Sequence, residues 1–157
     1  MAAIGEVDEA NSVIGWAAEA LDGDPREMLR RIENEMFDLG ADLATPGEDW
    51  EPGEMTLRIT PAQVERLEAE IDAANAELPP LTSFILPGGG EGATRLFLAR
   101  AVVRRAERAA VAASEAVPIN PAALAYLNRL SDHLFVLARR VARAGGGETL
   151  WRPGATR

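Results

Sequence analysis

The stretch NPAALAYLNRLSDHLFVLARRVARAGGG, residues 120–147, decides the class of fold. Asn120-Pro121 is a helix start: the Asn side chain accepts from the first free N–H groups, and proline has no N–H to leave unpaired in the first turn. No Gly or Pro interrupts residues 122–144, and Gly145-Gly146-Gly147 then closes the segment. Leu127, Leu134 and Val141 recur on one face and point to a core. The reading is a long amphipathic helix over about Pro121 to Ala144.

Working outward, the same punctuation marks four more helices. The fourth covers about Ala93 to Ala116, almost free of breakers and rich in Ala and Arg. The first covers about Glu6 to Leu21, with Val7, Ala10, Ile14, Ala17, Ala18 and Leu21 on one stripe and Gly23 as its terminator. Asp24-Pro25-Arg26-Glu27 offers an N-cap, a first-turn proline and a capping-box glutamate to open the second. That helix carries Leu29, Ile32, Met36, Leu39 and Leu43 inward. Thr60-Pro61-Ala62-Gln63 repeats the signal for the third, where Val64, Leu67, Ile71 and Leu78 keep the period. Thr45 to Ile59 reads as a long, exposed and mobile connection. Pro79 to Gly92 is a different loop, holding Leu81, Phe84, Ile85 and Leu86 ahead of a glycine run. Nothing alternates with period two for long enough to require a strand. The expected fold is therefore all-α: one domain, residues 1–157, a bundle of five helices with antiparallel neighbours.

Composition narrows the chemistry. The 157 residues carry a net charge of −9 and are 47% hydrophobic, enough apolar material for a core. The balance disfavours nucleic acid, which needs a basic face, and no apolar run is long enough to span a bilayer. Acidic residues near Met1 do not resemble a secretory signal, so the expected location is cytoplasmic. With no cysteine and one histidine, His133, thiolate chemistry and multi-histidine metal sites are excluded. His133 alone reads as a surface or internally satisfied side chain. Paired Glu-x-x-His motifs are missing, and the glycine run at 88–90 lacks the Lys-Ser or Lys-Thr of a phosphate-binding loop.

Three polar constellations remain. Arg100, Arg104 and Arg108 are four residues apart, and Glu107 is three from Arg104, so all four share one helical face. Like charges at this spacing repel. Either the face is simply solvated, or it meets carboxylates or a polyphosphate, whose geometry matches the arginine fork. On the fifth helix Asn128 and Asp132 are one turn apart in an apolar context, fitting either an interhelical hydrogen bond or a ligand contact. Asp8, Asn11 and Ser12 form a shorter polar stripe on the first helix. There Asp8 either complements the helix dipole or meets an arginine from elsewhere.

Five blocks in order then resemble the PduO-type ATP:cob(I)alamin adenosyltransferases. They are Gly5-Glu6-Val7-Asp8-Glu9-Ala10-Asn11-Ser12, Phe37-Asp38-Leu39-Gly40-Ala41-Asp42-Leu43, Ser83-Phe84-Ile85-Leu86-Pro87-Gly88-Gly89, Arg104-Arg105-Ala106-Glu107-Arg108 and Tyr126-Leu127-Asn128-Arg129-Leu130-Ser131-Asp132. The resemblance implies a five-helix bundle assembled as a homotrimer, with active sites between subunits. It implies that the cobalt of cob(I)alamin attacks the ribose 5′ carbon of ATP and releases triphosphate, usually with Mg²⁺, so that the protein needs no nucleophile of its own. Arg104, Glu107, Arg108 and Asn128 would contact ATP, with Arg104, Glu107 and Asn128 serving catalysis. Phe84 would cover the lower face of the corrin and keep out its axial ligand, and Asp132 would lie on the cobalamin side. Asp8 and Arg100 would pair between subunits. An adenosylcobalamin-dependent enzyme receiving the product is the further partner implied.

One departure from the family pattern stands out. The family's phosphate-wrapping segment, of the type Thr-Arg-Thr-Gly-Asp-x-Gly, would precede the first helix, yet Met1 falls almost inside that helix. Either a longer protein carries the segment upstream of Met1, which is the expectation, or this member binds ATP poorly. Two other functions compete with the enzyme: a cobalamin carrier that keeps Phe84 without ATP chemistry, and a helical interaction scaffold that needs neither. Without the resemblance, Phe84 reads equally as a hydrophobic anchor closing one end of the bundle.

Overall fold

The computed structural model describes all of residues 1–157. Its last helix, α5, runs Pro121–Ala144, as its boundary residues dictate: Asn120 accepts from the Ala122 N–H at 3.0 Å, and the chain turns at Gly145. Before it come α1 (Ala2–Ala18), α2 (Gly23–Ala44), α3 (Pro61–Glu77) and α4 (Glu91–Ser114). α5 packs on α4 along one side and on α3 along another, touching α2 more lightly, while α1 packs between α4 and α2. Alanines make the closest of these approaches. Ala10, Ala17 and Ala18 of α1 and Ala99, Ala106 and Ala110 of α4 are fully buried, and such short side chains let helix axes come near each other. Ile14, Leu29, Ile32, Leu39, Leu96, Leu127, Leu130 and Leu134 fill the remaining core.

Several boundaries differ from the sequence reading. α1 starts at Ala2, because Ala2-Ala3-Ile4 favour helix and Ala3 extends the buried stripe; it ends at Ala18 in tight turns, Ala20 N–H to Ala17 O (3.1 Å) and Leu21 N–H to Ala18 O (3.2 Å). Gly23 does not terminate α1. It opens α2 with φ +60° after an extended Asp22, so the Asp24-to-Glu27 box does not form and Asp24 sits in the first turn, where the helix dipole favours its charge. The α3 box does form, Thr60 N–H donating to Gln63 Oε1 at 2.8 Å. A short ladder was not legible: β1 (Ile85–Leu86) pairs antiparallel with β2 (Thr149–Leu150).

The connection from Thr45 to Ile59 is exposed between its ends, as its composition suggests, and is pinned at both of them. Buried Arg58 donates to Asp42 Oδ1 and to Thr45 O, each at 2.7 Å, and Asp42 Oδ2 accepts from the Ile59 N–H (2.8 Å) and from Asn120 Nδ2 (2.7 Å). The glycine run has a packing role. A Cβ on Gly89, at φ +92°, would lie 2.4 Å from Ala142 Cβ, so only glycine lets this loop meet the end of α5. Buried Arg139 fastens both neighbouring strands of chain, donating to Pro79 O (2.9 Å) and pairing with Glu148 (2.7 Å).

α3 is held mostly by polar contacts. Leu67 is its one fully buried side chain, with Val64 packed partly against the core. Glu70 accepts from Arg31 (2.9 Å) and pairs with His133 Nε2 (2.8 Å), and Glu35 accepts from Tyr126 Oη (2.6 Å) and Arg66 (3.2 Å). Of the two sequence options His133 is the internal one, buried rather than at the surface, with its Nε2 paired to Glu70 and its Nδ1 left without a hydrogen-bond partner. Burial and the neighbouring Glu35 carboxylate push the Tyr126 hydroxyl well above its ordinary pKa, so it remains a neutral donor. Burial pushes the Glu70 carboxyl up, but hydrogen bonds from His133 and Arg31, with the charge of Arg31, overcome this and hold it at about 2, against an ordinary 4.5. The folded value is the lower one, so this contribution to stability is complete above about pH 4.5 and is lost as pH falls toward about 2. The thermal midpoint of Glu70→Gln, measured against the native chain from pH 7 to pH 2, should lie lower at neutral pH and converge with it at the acid end. A constant offset would contradict the assignment.

Candidate active site

Burying the alanine face of α4 turns its charged face outward. Arg104, Glu107 and Arg108 of α4, with Asn128 of α5, line an open cleft of about 400 Å³. Asn128 Nδ2 donates to Glu107 Oε1 at 2.7 Å, joining the two helices across its floor. Arg104 and Arg108 are exposed and have no carboxylate partner in the chain; Arg108 donates only to the Arg104 carbonyl, at 3.2 Å. Arg105 faces another way, clasping Glu6 (2.5 Å) and Glu9 of α1.

Arg100, one turn before Arg104, is half-buried, with its guanidinium 5.1 Å from the Phe135 ring centroid. Burial and then the like charge of Arg104 lower its pKa, and Asp132 opposes them. A cation in this setting favours an additional anion. Arg100 also lines a second cavity, of about 800 Å³, whose aromatic walls are Phe84, Phe97, Phe135 and Trp151.

Phe84 is 76% exposed, so it is not a buried anchor at the bundle end. The fold presents it deliberately. The Trp151 N–H donates to Phe84 O (2.8 Å), Ser83 Oγ donates to Trp151 O (2.8 Å), and the two rings lie 5.8 Å apart. Asp132 is exposed, 3.3 Å from Arg129, and is not among the residues lining the aromatic cavity. Asp8 lies elsewhere, in a groove between α1 and α2 beside Ile4, Met36 and the 70% exposed Phe37, and forms no ion pair within the chain. Asn11 is buried and donates to Glu33 O at 3.2 Å, a structural hydrogen bond. The structure therefore gathers Arg104, Glu107, Arg108 and Asn128 in one cleft and joins Phe84 with Arg100 in the next, leaving Asp8 on a different face. Sequence reasoning missed Phe135 and Trp151. Phe135 is seven residues after Asn128, hence on its face two turns on, but Trp151 carried no local signal because a loop contact positions it.

A sequence model of cobalamin adenosyltransferases matches residues 1–141. The chain belongs to the cobalamin adenosyltransferase family. A corrinoid adenosyltransferase of Mycobacterium tuberculosis is 49% identical over 162 residues, covering 100% of this chain and 82% of the relative. That of Bacillus subtilis is 44% identical, over 92% of this chain and 75% of its own length. Among solved structures, a variant PduO-type ATP:corrinoid adenosyltransferase from Lactobacillus reuteri complexed with cobalamin and ATP is 36% identical, with a TM-score of 0.82, covering 96% of this chain and 84% of that one. The family match spans the cleft residues of α4 and α5 and the Phe84 loop, whereas Trp151 lies beyond it.

Because Phe84 is exposed, Phe84→Ala should shift the thermal midpoint by no more than about 2 °C, the scale of an ordinary surface substitution. Leu130→Ala, removing a fully buried side chain, should cost roughly 2–5 kcal/mol in the same denaturation experiment. Comparable losses for both variants would restore the anchor reading of Phe84.

Proposed function

We infer that this chain is an enzyme that transfers the 5′-deoxyadenosyl group of ATP to the cobalt of cob(I)alamin, giving adenosylcobalamin and triphosphate. The observation that carries the residue assignments is the adjacency of two unlike sites: a cleft with two unpaired guanidiniums, and, one helical turn away across Arg100, an aromatic cavity. A carrier without ATP chemistry would have no use for the first, and a scaffold would need neither.

In this reading Arg104 and Arg108 hold the triphosphate through charge-assisted hydrogen bonds, and Glu107 and Asn128, fixed on each other, orient the nucleoside. The cobalt electron pair forms the bond to C5′ as the C5′–O5′ bond breaks, and the departing triphosphate takes the electron pair of the broken bond with its negative charge. Arginines on the leaving group stabilise charge where it develops. Phe84, presented by its loop with Trp151 behind it, covers the lower face of the corrin and excludes axial donation to the metal, which makes the reduced state more accessible. Asp132 acts from the same side through Arg100.

The chain offers no cluster of three metal-ligating side chains, so Mg²⁺ is best suited to arrive with the phosphates, with Glu107 and Glu115 the carboxylates lining this cleft. We further propose a homotrimer, in which Asp8 of one subunit meets Arg100 of the next. Exposed Phe37 beside Asp8, and the lack of a carboxylate ion pair on Arg100 within its own chain, support this arrangement. No helix is long and apolar enough to cross a membrane. Use of ATP suits a cytoplasmic enzyme, and its product suits delivery to an adenosylcobalamin-dependent one.

Arg104→Ala and Asn128→Ala should each lower kcat/KM for ATP roughly 10–100-fold, the range expected for hydrogen bonds to charged groups, while the circular dichroism of the bundle stays unchanged. Native kinetics in both variants would return the arginine face to simple solvation. Arg100→Ala should weaken both assembly and turnover, because it leaves a carboxylate unpaired in the interface. Sedimentation showing an intact trimer with normal turnover would remove the intersubunit pair.

A further inference from the structure

We propose that Arg129 is a positioning residue that holds Asn128 in the orientation the nucleotide requires, itself braced by Asp132. This rests on the reading of the Arg104 cleft as the nucleotide site. The Nη2 atom of Arg129 donates to Asn128 Oδ1 at 2.6 Å and lies 3.3 Å from Asp132 Oδ2. Asn128 in turn gives its Nδ2 to Glu107 Oε1 at 2.7 Å.

This contact does not follow from chain proximity. Successive residues of a helix point about 100° apart and do not ordinarily face each other. The Arg129 side chain is 38% exposed and free to extend into solvent, yet it folds back over Asn128. Asp132, three residues on, stands on the side that makes this possible, and one nitrogen serves both acceptors. The consequence falls on the Asn128 amide. Turned over, it would set its NH₂ against the Arg129 guanidinium and its oxygen against the Glu107 carboxylate, two repulsive contacts in place of two hydrogen bonds. Arg129 and Glu107 thus specify the amide from opposite ends. Because one nitrogen makes both contacts, a lysine ammonium, with three donors on a single nitrogen, can take over part of the role.

The test compares Asn128→Ala, Arg129→Met and the double variant in steady-state kinetics with ATP varied, using the full-length chain. Arg129→Met should lower kcat/KM for ATP roughly tenfold with the thermal midpoint unchanged, as expected for lost positioning rather than lost folding. The double variant should be no worse than Asn128→Ala alone, because Arg129 acts through Asn128. Arg129→Lys should fall between native and Arg129→Met. Should Arg129→Met fail to fold, Arg129→Gln carries the same comparison. The proposal is overturned if Asn128→Ala is impaired while Arg129→Met stays within about twofold of native, or if the losses multiply in the double variant. Native activity in Asn128→Ala would bring down the nucleotide reading of the cleft, and this proposal with it.

Discussion

The contact between α4 and its neighbours α1 and α5 is the constraint on which the rest depends. Ala99, Val103, Ala106 and Ala110 are fully buried, and burying them fixes the rotation of α4 about its axis. Helical periodicity leaves no choice for the residues between them: Arg100, Arg104, Glu107 and Arg108 must face outward. Because α5 lies directly against α4, Asn128 reaches Glu107 from one turn of α5 and Phe135 lies under Arg100 two turns later. One packing decision therefore creates both the cationic cleft and one wall of the aromatic cavity.

The other wall is built by backbone proximity. Gly89 comes so close to Ala142 that any side chain would collide, and this contact brings the loop ahead of α4 onto the end of α5. Arg139 then ties the start of the loop and the tail to the same helix, and β1 and β2 hold the two segments together. Phe84 and Trp151, 67 residues apart in sequence, become neighbours with their rings turned to solvent. An exposed aromatic pair costs solvation unless a ligand covers it, which agrees with a site for a large, flat substrate.

Two polar networks hold the far side of the bundle. Asp42, Arg58 and Asn120 secure the long connection, and Glu35, Glu70, Arg31, His133 and Tyr126 secure α3. Such groups are tolerated away from water because each charge faces an opposite one, even though Arg31 Nε, Arg58 Nε and His133 Nδ1 have no hydrogen-bond partner, and their directional contacts specify where a helix with a single fully buried residue must dock. Neither network touches the clefts. They keep the scaffold in register while the α4 and α5 faces remain free for ligands.

Helix number, class and the principal candidate residues were legible in the chain, since 3.6-residue periodicity and caps such as Asn120-Pro121 act over a few residues. The Arg104, Glu107 and Arg108 group could also be read, because residues three and four apart share a face whatever the helix packs against, whereas Asn128, on another helix, was joined to it only by the family resemblance. What sequence alone could not supply were contacts between distant segments. The Asp24-to-Glu27 start signal was present but unused, because Gly23, at positive φ, let α2 begin earlier. His133 read as an isolated histidine, and only the docking of α3 gives it Glu70. Nothing local in the sequence pairs Trp151 with Phe84, and only the docking of the loop and the tail brings them together. Local patterns fix which face a side chain occupies, whereas tertiary packing decides which other face it meets, since that depends on side-chain volumes and hydrogen-bond partners contributed by remote parts of the chain.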